Sequence, residues 1–384
     1  MHHIGRARLA VAAIFTVHGA AAGTFATRIP WIKDHVHASA GGLGLALLAP
    51  AMGSILAMPM VGRLIHRIGG RTATRVFAAL FCLVLALVPF APNLLTLWFC
   101  LLLFGATAGS CDVAMNAQGV EVEQALGRSI MSGLHGMWSV GGLLGAAAGT
   151  LAAHADLDAR IHLPIAAAVL VAAGYVIGFW LPESRAAEDV EEPPHFALPG
   201  KAVLGIGFVS FCAVFAEGAA ADWCAVYLKD VAHAGAGVSA SAYTAFALMM
   251  AASRLAGDAV VSRLGAVRTV RIGGFLSIVG GVLVVLARTP LPAIIGFGLI
   301  GLGIAVVVPL AFAAAGKAAA NAGQGVAGVA TITYSCLLVA PAIIGGLASI
   351  TSLSLSFVIV TVMTVLMTAT AGKLRVADAK PIPA

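Results

Sequence analysis

Residues 105–124 read GATAGSCDVAMNAQGVEVEQ: an apolar membrane-type segment that places Asp112, Asn116 and Gln118 where hydrocarbon is expected. A carboxylate at the bilayer centre costs about 2.5–3.5 kcal/mol on insertion scales, so it normally faces a bundle interior or a wet cavity. Asp112 and Asn116 are four residues apart and share a helix face. The alternative role for Asp112 is a structural hydrogen bond between helices. A neutral Asn would serve that role at lower cost, which favours a functional carboxylate.

The composition around this stretch is that of a membrane protein. Of 384 residues, 60% are hydrophobic and only 10% are charged, and the mean hydropathy is +1.01. A soluble domain carries about 25% charged residues, so a water-soluble globule is excluded. The 45 glycines suit close contact between membrane helices. The formal charge of +6 is spread over the loops and reflects membrane topology, so no nucleic-acid partner is expected.

The sequence contains no pattern that indicates catalysis. The six cysteines lie in apolar runs without CxxC spacing, so neither a disulfide framework nor a metal site is expected. HExxH and GxSxG do not occur, and no nucleotide-binding loop appears in any soluble segment. We therefore expect no enzyme activity and no cofactor. Transport by such a chain would be driven by an ion gradient, with the proton as the expected coupling ion.

Apolar runs of near 20 residues, about the length that crosses a bilayer, recur along the chain. The polar stretch 182–201 is predicted to be a cytoplasmic linker between a six-helix bundle at 1–181 and a second six-helix bundle with a short tail at 202–384. We predict twelve membrane helices, at residues 9–28, 41–62, 73–91, 95–121, 130–153, 162–181, 202–228, 240–261, 269–287, 291–315, 325–348 and 352–371.

The distribution of Lys and Arg predicts the orientation. With both termini in the cytoplasm, 16 of the 22 Lys and Arg residues lie on the cytoplasmic side, five lie outside, and Arg254 lies within a span. Cytoplasmic loops carry an excess of Lys and Arg. The sequence therefore predicts N-in and C-in.

The two halves of the chain resemble each other. The run from His18 to Gly23 (HGAAAG) matches the run from Glu217 to Asp222 (EGAAAD). Arg67-Ile-Gly69 matches Arg263-Leu-Gly265 at an offset of 196. A parallel duplication of six helices is typical of transporters whose halves rock around a site at the membrane midplane.

A loop between the second and third spans carries the first family resemblance. The sequence from Gly62 to Arg71 (GRLIHRIGGR) resembles the signature loop of the major facilitator superfamily. His66 stands where that superfamily usually has Asp, so the usual acidic gate contact is not expected here. The resemblance covers essentially the whole chain. It implies an all-α membrane protein of twelve helices in two pseudo-symmetric six-helix bundles.

Three short sequence motifs narrow the resemblance to the MosC-like and YbjJ-like bacterial subgroup. They are DVAMNAQG from Asp112, HGMWSVGG from His135 and EGAAADW from Glu217, and the run from Tyr334 to Pro341 adds to them. For this subgroup the resemblance implies little about the solute beyond an amino-cyclitol. We expect a small polar solute, such as a sugar, a cyclitol or a related amine.

Candidate substrate- and proton-binding residues occur in both halves. In the first half, His135 and Trp138 are three apart on the fifth span and share a face. Imidazole and indole groups suit a polar, hydroxylated ligand. A packed aromatic with a satisfied core histidine is the equal alternative. Asp112 and Asn116 complete this first group.

In the second half, Glu217 is the main candidate for a proton carrier, because a carboxylate withdrawn from water binds protons more readily. Its repeat mate is His18, a further candidate for substrate or proton binding, so each half offers a titratable group at the same structural position. Asp222 and Trp223 complete this group, although for Asp222 a wet position near the outer end, or a pair with Arg28, is the favoured alternative. Arg28 is itself predicted to be an anchor that extends to the headgroup level.

Charged residues near the cytoplasmic ends predict a gate. Arg254 and Asp258 are four apart on the eighth span and are predicted to form an ion pair. Ordinary surface charge is the alternative for several members. The predicted gate consists of Arg63, His66, Arg67, Arg71, Glu121, Arg128, Arg254, Asp258 and Arg263.

These features predict a secondary active transporter in the bacterial inner membrane. It would move a small polar solute by alternating access, coupled to protons, and work as a monomer by analogy with the superfamily. Export of drugs or other metabolites is the alternative within the class. A non-transporting membrane sensor of the same fold is the alternative outside it.

Overall fold

The computed structural model describes residues 2–127, 130–183, 201–318 and 322–378. Within them the chain is helical and contains no strand. Twelve spans of the described residues are long and apolar enough to cross a membrane, as predicted. The predicted linker lies almost entirely outside the described residues, and the bundle boundaries at 181 and 202 stay predictions.

By its internal contacts the chain divides into two compact units. Unit 1 comprises Met1–Val190 and Gly235–Thr244, and unit 2 comprises Glu191–Ala234 and Ala245–Ala384. The first seven helices are α1 His2–His35, α2 Ala40–Ala46, α3 Ala49–Ile68, α4 Gly70–Leu87, α5 Leu94–Leu126, α6 Met131–His154 and α7 Ala159–Ile177. The remaining seven are α8 Lys201–Asp230, α9 Ala236–Leu264, α10 Ala266–Leu286, α11 Pro290–Ile304, α12 Val307–Ala318, α13 Ala322–Ile350 and α14 Leu353–Thr370.

The first helix is longer than predicted. It runs through Pro30 to His35 instead of ending at Arg28. A proline inside a helix removes one backbone donor, but the apolar residues that flank Pro30, Ile29 and Ile32, are almost completely buried. Their packing holds the last turns of α1 in place.

Two of the twelve spans are interrupted within their length, and proline explains both breaks. The second span changes from α2 to α3 at Leu47 and Leu48, just before Pro50. The tenth, predicted as one helix, changes from α11 to α12 after Ala305. Pro309 cannot donate to the carbonyl of Ala305 four residues earlier, so this carbonyl needs a donor from elsewhere.

The most enclosed span in each unit is its first one, α1 in unit 1 and α8 in unit 2. Helix α1 packs most extensively on α6. The glycine stripe of α6, Gly141, Gly145 and Gly149, lies against α1 in this contact. A Cβ at Gly141 would overlap the carbonyl of Thr16, and one at Gly145 would overlap the carbonyl of Ala20. The two backbones are therefore as close as glycine allows.

Adjacent glycines of α6 provide a test of this contact. We expect Gly141→Ala to destabilise the protein by about 1–3 kcal/mol, because the added methyl must push α1 away. Gly142→Ala is the matched control, since its Cβ would meet the carbonyl oxygen of Gly19 at 3.7 Å, an ordinary contact. Thermal unfolding in detergent measures both. Equal midpoints for the two variants would contradict the packing described.

Candidate functional site

His18 is the centre of the polar site in unit 1. Its Nε2 lies 3.1 Å from the carbonyl oxygen of Ala108 on α5. The indole Nε1 of Trp138 on α6 donates to its Nδ1 at 2.9 Å. The imidazole also stacks on Phe81 of α4, with ring centroids 4.7 Å apart. One side chain on α1 thus contacts three other helices of the unit.

These partners determine the tautomer of His18. The indole N–H of Trp138 can only donate, and the carbonyl of Ala108 can only accept. The imidazole must therefore be neutral, with its proton on Nε2. A second proton on Nδ1 would face the indole N–H and break that bond. In this conformation His18 orients Trp138 and is not free to pick up a proton.

Asp112 and Asn116 occupy the helix α5 as predicted, one turn beyond Ala108. The Asn116 amide donates to the Asp112 backbone carbonyl at 2.8 Å and to its Oδ1 at 3.2 Å. Both side chains are half-buried. Asp112 is thus one turn along α5 from the carbonyl to which His18 bonds. With about 1.5 Å of rise per residue, Asp112 lies about 27 Å from the start of α5 and about 21 Å from its end, near mid-membrane depth.

His135 shares with Trp138 the face of α6 that contacts α1. Its ring meets Phe15 edge-on at a centroid distance of 5.3 Å. His135 is exposed and Trp138 is half-buried. Gln118, on the same helix as Asp112 and Asn116, is buried.

An ion pair at helix mid-depth forms the polar site of unit 2. The Nη2 of Arg254 lies 3.0 Å from Oε1 of Glu217, and both side chains are about one-quarter exposed, at 23% and 27%. The Nε of Arg254 donates to the Ala305 carbonyl at 3.4 Å. This is the carbonyl that Pro309 leaves without a helical donor. Arg254 thus bonds both to the carboxylate of Glu217 and to the backbone carbonyl at the break of the tenth span.

The predicted pair between Arg254 and Asp258 is wrong, because the guanidinium turns to Glu217 on the neighbouring helix. The four-residue spacing along α9 permits the predicted pair. Asp258, however, is exposed, whereas Glu217 is half-buried. A partly desolvated carboxylate gains more from a cation than an exposed one does. Glu217 is therefore ion-paired in this structure.

Two further candidates of unit 2 follow Glu217 on α8. Asp222 is half-buried. Trp223 is completely buried, and its indole Nε1 meets no acceptor among the described residues. Trp223 is thus part of the interior of the unit, whereas Asp222 retains some exposure.

The predicted gate residues do not form one cluster within the described part of the chain. Arg71 donates to the Leu181 carbonyl at 2.6 Å and to Glu183 at 2.7 Å. Glu121 lies with Arg71 in the lining of one cavity of unit 1. Arg254 belongs to the ion pair with Glu217. The exposed members are Arg63, His66, Arg67, Asp258 and Arg263, and Arg128 lies outside the described residues.

The prediction of Arg28 as an anchor at the headgroup level is also wrong. Its side chain is 3% exposed, and it donates to His162 Nδ1 at 3.1 Å and to the Leu157 carbonyl at 3.0 Å. His162, which no sequence pattern indicated, must be a neutral acceptor in this contact. A hydrogen bond from Arg160 lowers the pKa of nearby Asp158, which stays ionised and attracts Arg28.

Among the described residues, no three His, Cys, Asp or Glu side chains form a group that could hold a metal ion. The polar groups of the two units instead consist of hydrogen-bonded side chains and one ion pair. These arrangements suit binding of a polar solute or of protons within membrane helices.

Comparisons with known proteins agree with the twelve-span architecture. The model of the Major Facilitator Superfamily matches residues 11–341. A protein described as an uncharacterized transporter of Sinorhizobium fredii is 34% identical over 368 residues, covering 95% of this chain and 97% of its own. An MFS-type transporter of Yersinia pestis is 36% identical over 344 residues, covering 89% of each chain. The membrane protein MosC of Rhizobium meliloti is 32% identical over 344 residues, covering 88% of this chain and 83% of its own.

Solved structures share the fold at low sequence identity. The nucleoside transporter NupG superimposes with a TM-score of 0.72 at 12% identity, over 99% of this chain and 100% of its own. A bacterial homologue of the lysosomal transporter Spinster, inward-facing and occupied, gives a TM-score of 0.72 at 13% identity over 96% of each chain.

The Glu217–Arg254 pair predicts how the single and double variants of these two residues differ in stability. Glu217→Gln and Arg254→Gln should each destabilise the protein by about 2 kcal/mol, below the 3–5 kcal/mol of a fully buried pair because both side chains are partly exposed. The double variant should recover most of the loss, since it leaves no uncompensated charge. Arg160→Gln, which breaks an exposed pair with Asp158, is the control and should change the unfolding midpoint little. Additive losses in the double variant would contradict the pairing.

The tautomer of His18 predicts that a neutral amide can replace it. His18→Gln can donate to Ala108 and accept from Trp138, so ligand affinity and its pH profile should stay close to those of the unaltered chain. His18→Ala loses both bonds, and we expect about a tenfold weaker apparent affinity from loss of Trp138 positioning. A His18→Gln variant that binds ligand normally but has lost proton-driven uptake would show that His18 carries protons.

Proposed function

The chain belongs to the Major Facilitator Superfamily, and on this premise we propose that it is a proton-coupled secondary transporter of a small polar solute. The solute class is a sugar, a cyclitol or a related amine. We place the protein in the bacterial inner membrane with both termini in the cytoplasm, where 16 of its 22 Lys and Arg residues would lie.

The observation that carries this proposal is the hydrogen-bonded polar group at mid-depth of unit 1. His18 bonds to Trp138, and Asp112 bonds to Asn116, on three helices that are apolar enough to span a membrane. Polar side chains in a membrane interior are costly and mark substrate or ion pathways. The Asp112 carboxylate and the Asn116 amide oxygen suit a ligand with hydroxyl or amine donors, and Trp138 adds an aromatic surface. Only 7% of the residues of the chain are aromatic, which disfavours a polyspecific exporter of lipophilic compounds.

Proton coupling is proposed for Asp112 in particular. The Asp112 carboxylate accepts from the neutral amide of Asn116, whereas Glu217 is compensated by the guanidinium of Arg254. A carboxylate with neutral neighbours gains more from binding a proton when water is excluded than one that has a cation beside it. Asp112 is therefore the better candidate for the group that alternates between charged and neutral forms during alternating access.

Proteoliposome uptake with a panel of sugars, cyclitols and amines tests the function. We expect one class to accumulate against its gradient when an inward proton gradient is imposed, and an uncoupler to abolish accumulation. Counterflow without a proton gradient separates a transporter from a sensor, because a sensor does not exchange solute. Accumulation of lipophilic cations alone would replace this proposal with drug export.

Neutralising Asp112 should separate proton coupling from solute movement. We expect Asp112→Asn to lose proton-driven accumulation by at least tenfold, because an amide cannot bind and release the coupled proton. Counterflow should persist at a reduced rate. Asp156→Asn is the control: Asp156 is exposed and has a positive φ of 50°, which Asn also tolerates. Uphill transport by Asp112→Asn at the unaltered rate would refute the assignment.

A further inference from the structure

A cavity of about 370 Å³ lies in unit 1, away from the polar group around His18. Its walls come from the starts of α1 and α4, the end of α5 and the chain that follows α7. These are positions where candidate spans begin or end, at Ile4, Gly70, Leu126 and Trp180. The cavity therefore lies at the level where the hydrocarbon meets the headgroups, and its size falls in the range of about 300–1,000 Å³ of small-ligand pockets.

The cavity carries charges of both signs. Arg6, Arg71 and the half-buried Glu121 are among the residues that line it. Arg71 is held in place by the Leu181 carbonyl and by Glu183. A purely anionic ligand would meet Glu121, and a purely cationic one would meet two arginines. A zwitterion with an anionic and a cationic group can satisfy both at once.

The side of the cavity towards α7 is aromatic and open to the surroundings. Phe179 and Trp180, which line it, are 52% and 50% exposed, and Tyr175 one turn earlier is 58% exposed. Arg75 of α4 packs its guanidinium over Tyr175 and Phe179, 4.8 Å and 4.3 Å from their ring centres. Exposed aromatic rings at span ends are typical of contact with lipid headgroups. This wall therefore suits a ligand whose polar part lies in the cavity and whose apolar chain lies along the exposed rings.

From the charges, the depth and the aromatic wall, we propose that this cavity binds the phosphoethanolamine headgroup of a membrane phospholipid. The phosphate takes the bonds from Arg6 and Arg71. The primary ammonium group donates to Glu121, which selects it over headgroups that lack an N–H. The acyl chains follow the exposed aromatic and apolar side chains of α4 and α7. This proposal does not depend on the identity of the transported solute.

Lipid binding to the purified, delipidated full chain tests the proposal. The probes are short-chain phosphatidylethanolamine, phosphatidylglycerol and phosphatidylcholine, and free glycerophosphoethanolamine, with adducts counted by native mass spectrometry. We expect phosphatidylethanolamine to bind about tenfold tighter than the other two lipids, because only it offers both a phosphate and N–H donors. Free headgroup should not bind at millimolar concentration, since it lacks the acyl chains.

Two arginines of α1 provide a matched pair of variants. Arg6→Gln should weaken phosphatidylethanolamine and phosphatidylglycerol alike by about tenfold, because both lose a phosphate contact. Arg8→Gln, also exposed on α1 but not in the lining, should change neither. Glu121→Gln should erase the preference for phosphatidylethanolamine over phosphatidylglycerol while leaving binding of the latter intact.

Several outcomes would overturn the proposal. If phosphatidylglycerol binds tighter to the unaltered chain, or Glu121→Gln keeps the preference, the ammonium contact is wrong. If free headgroup binds as tightly as the lipid, the cavity is a site for a soluble zwitterion. If Arg6→Gln behaves like Arg8→Gln, the lipid lies elsewhere. Thermal unfolding checks that each variant is folded, and the comparison of lipids on the unaltered chain needs no variant.

Discussion

The close approach of α1 and α6 is the contact on which the rest of unit 1 depends. Lipid tails are as apolar as the helices, so burial of apolar surface does not drive helices together in a membrane. Here glycine allows the two helices to come together, because it leaves no side chain in the contact. A Cβ at Gly19 would overlap the carbonyl of Trp138 itself. The hydrogen bond between His18 and Trp138 therefore exists because the residue next to His18 has no side chain.

Each unit links its first span to the middle of its fourth by different chemistry. In unit 1 the imidazole of His18 donates to Ala108, on an unbroken α5. In unit 2 the repeat mate Glu217 cannot donate, and Arg254 of α9 supplies the donor for both Glu217 and the Ala305 carbonyl. The break at Pro309 and the arginine belong together, because each would leave an unsatisfied polar group without the other. The contact between the first and fourth spans is thus found in both units, but different chemical groups make it.

The sequence predicted the parts of the structure that depend on composition and on periodicity along one helix. The twelve spans follow from hydropathy, and the face shared by Asp112 and Asn116 follows from their spacing. The partners of long charged side chains did not follow. Arg254 had an acid four residues away on its own helix, yet it turns to another helix. Arg28 stood beside interfacial residues, yet it is buried against His162. Contacts between helices depend on helix rotation, which hydropathy does not determine.

The charges of the two units differ in a way that bears on proton coupling. Glu217 and Arg254 form a neutral pair, so a proton on Glu217 would leave an arginine cation at mid-membrane depth. On the proposed coupling, protonation of Asp112 has the opposite effect, because it removes a charge whose partner is the neutral amide of Asn116. His18 cannot share that proton while its Nδ1 accepts from Trp138. The proposed proton coupling therefore rests on the carboxylate of Asp112 in unit 1, whereas the carboxylate of Glu217 in unit 2 is already compensated by Arg254.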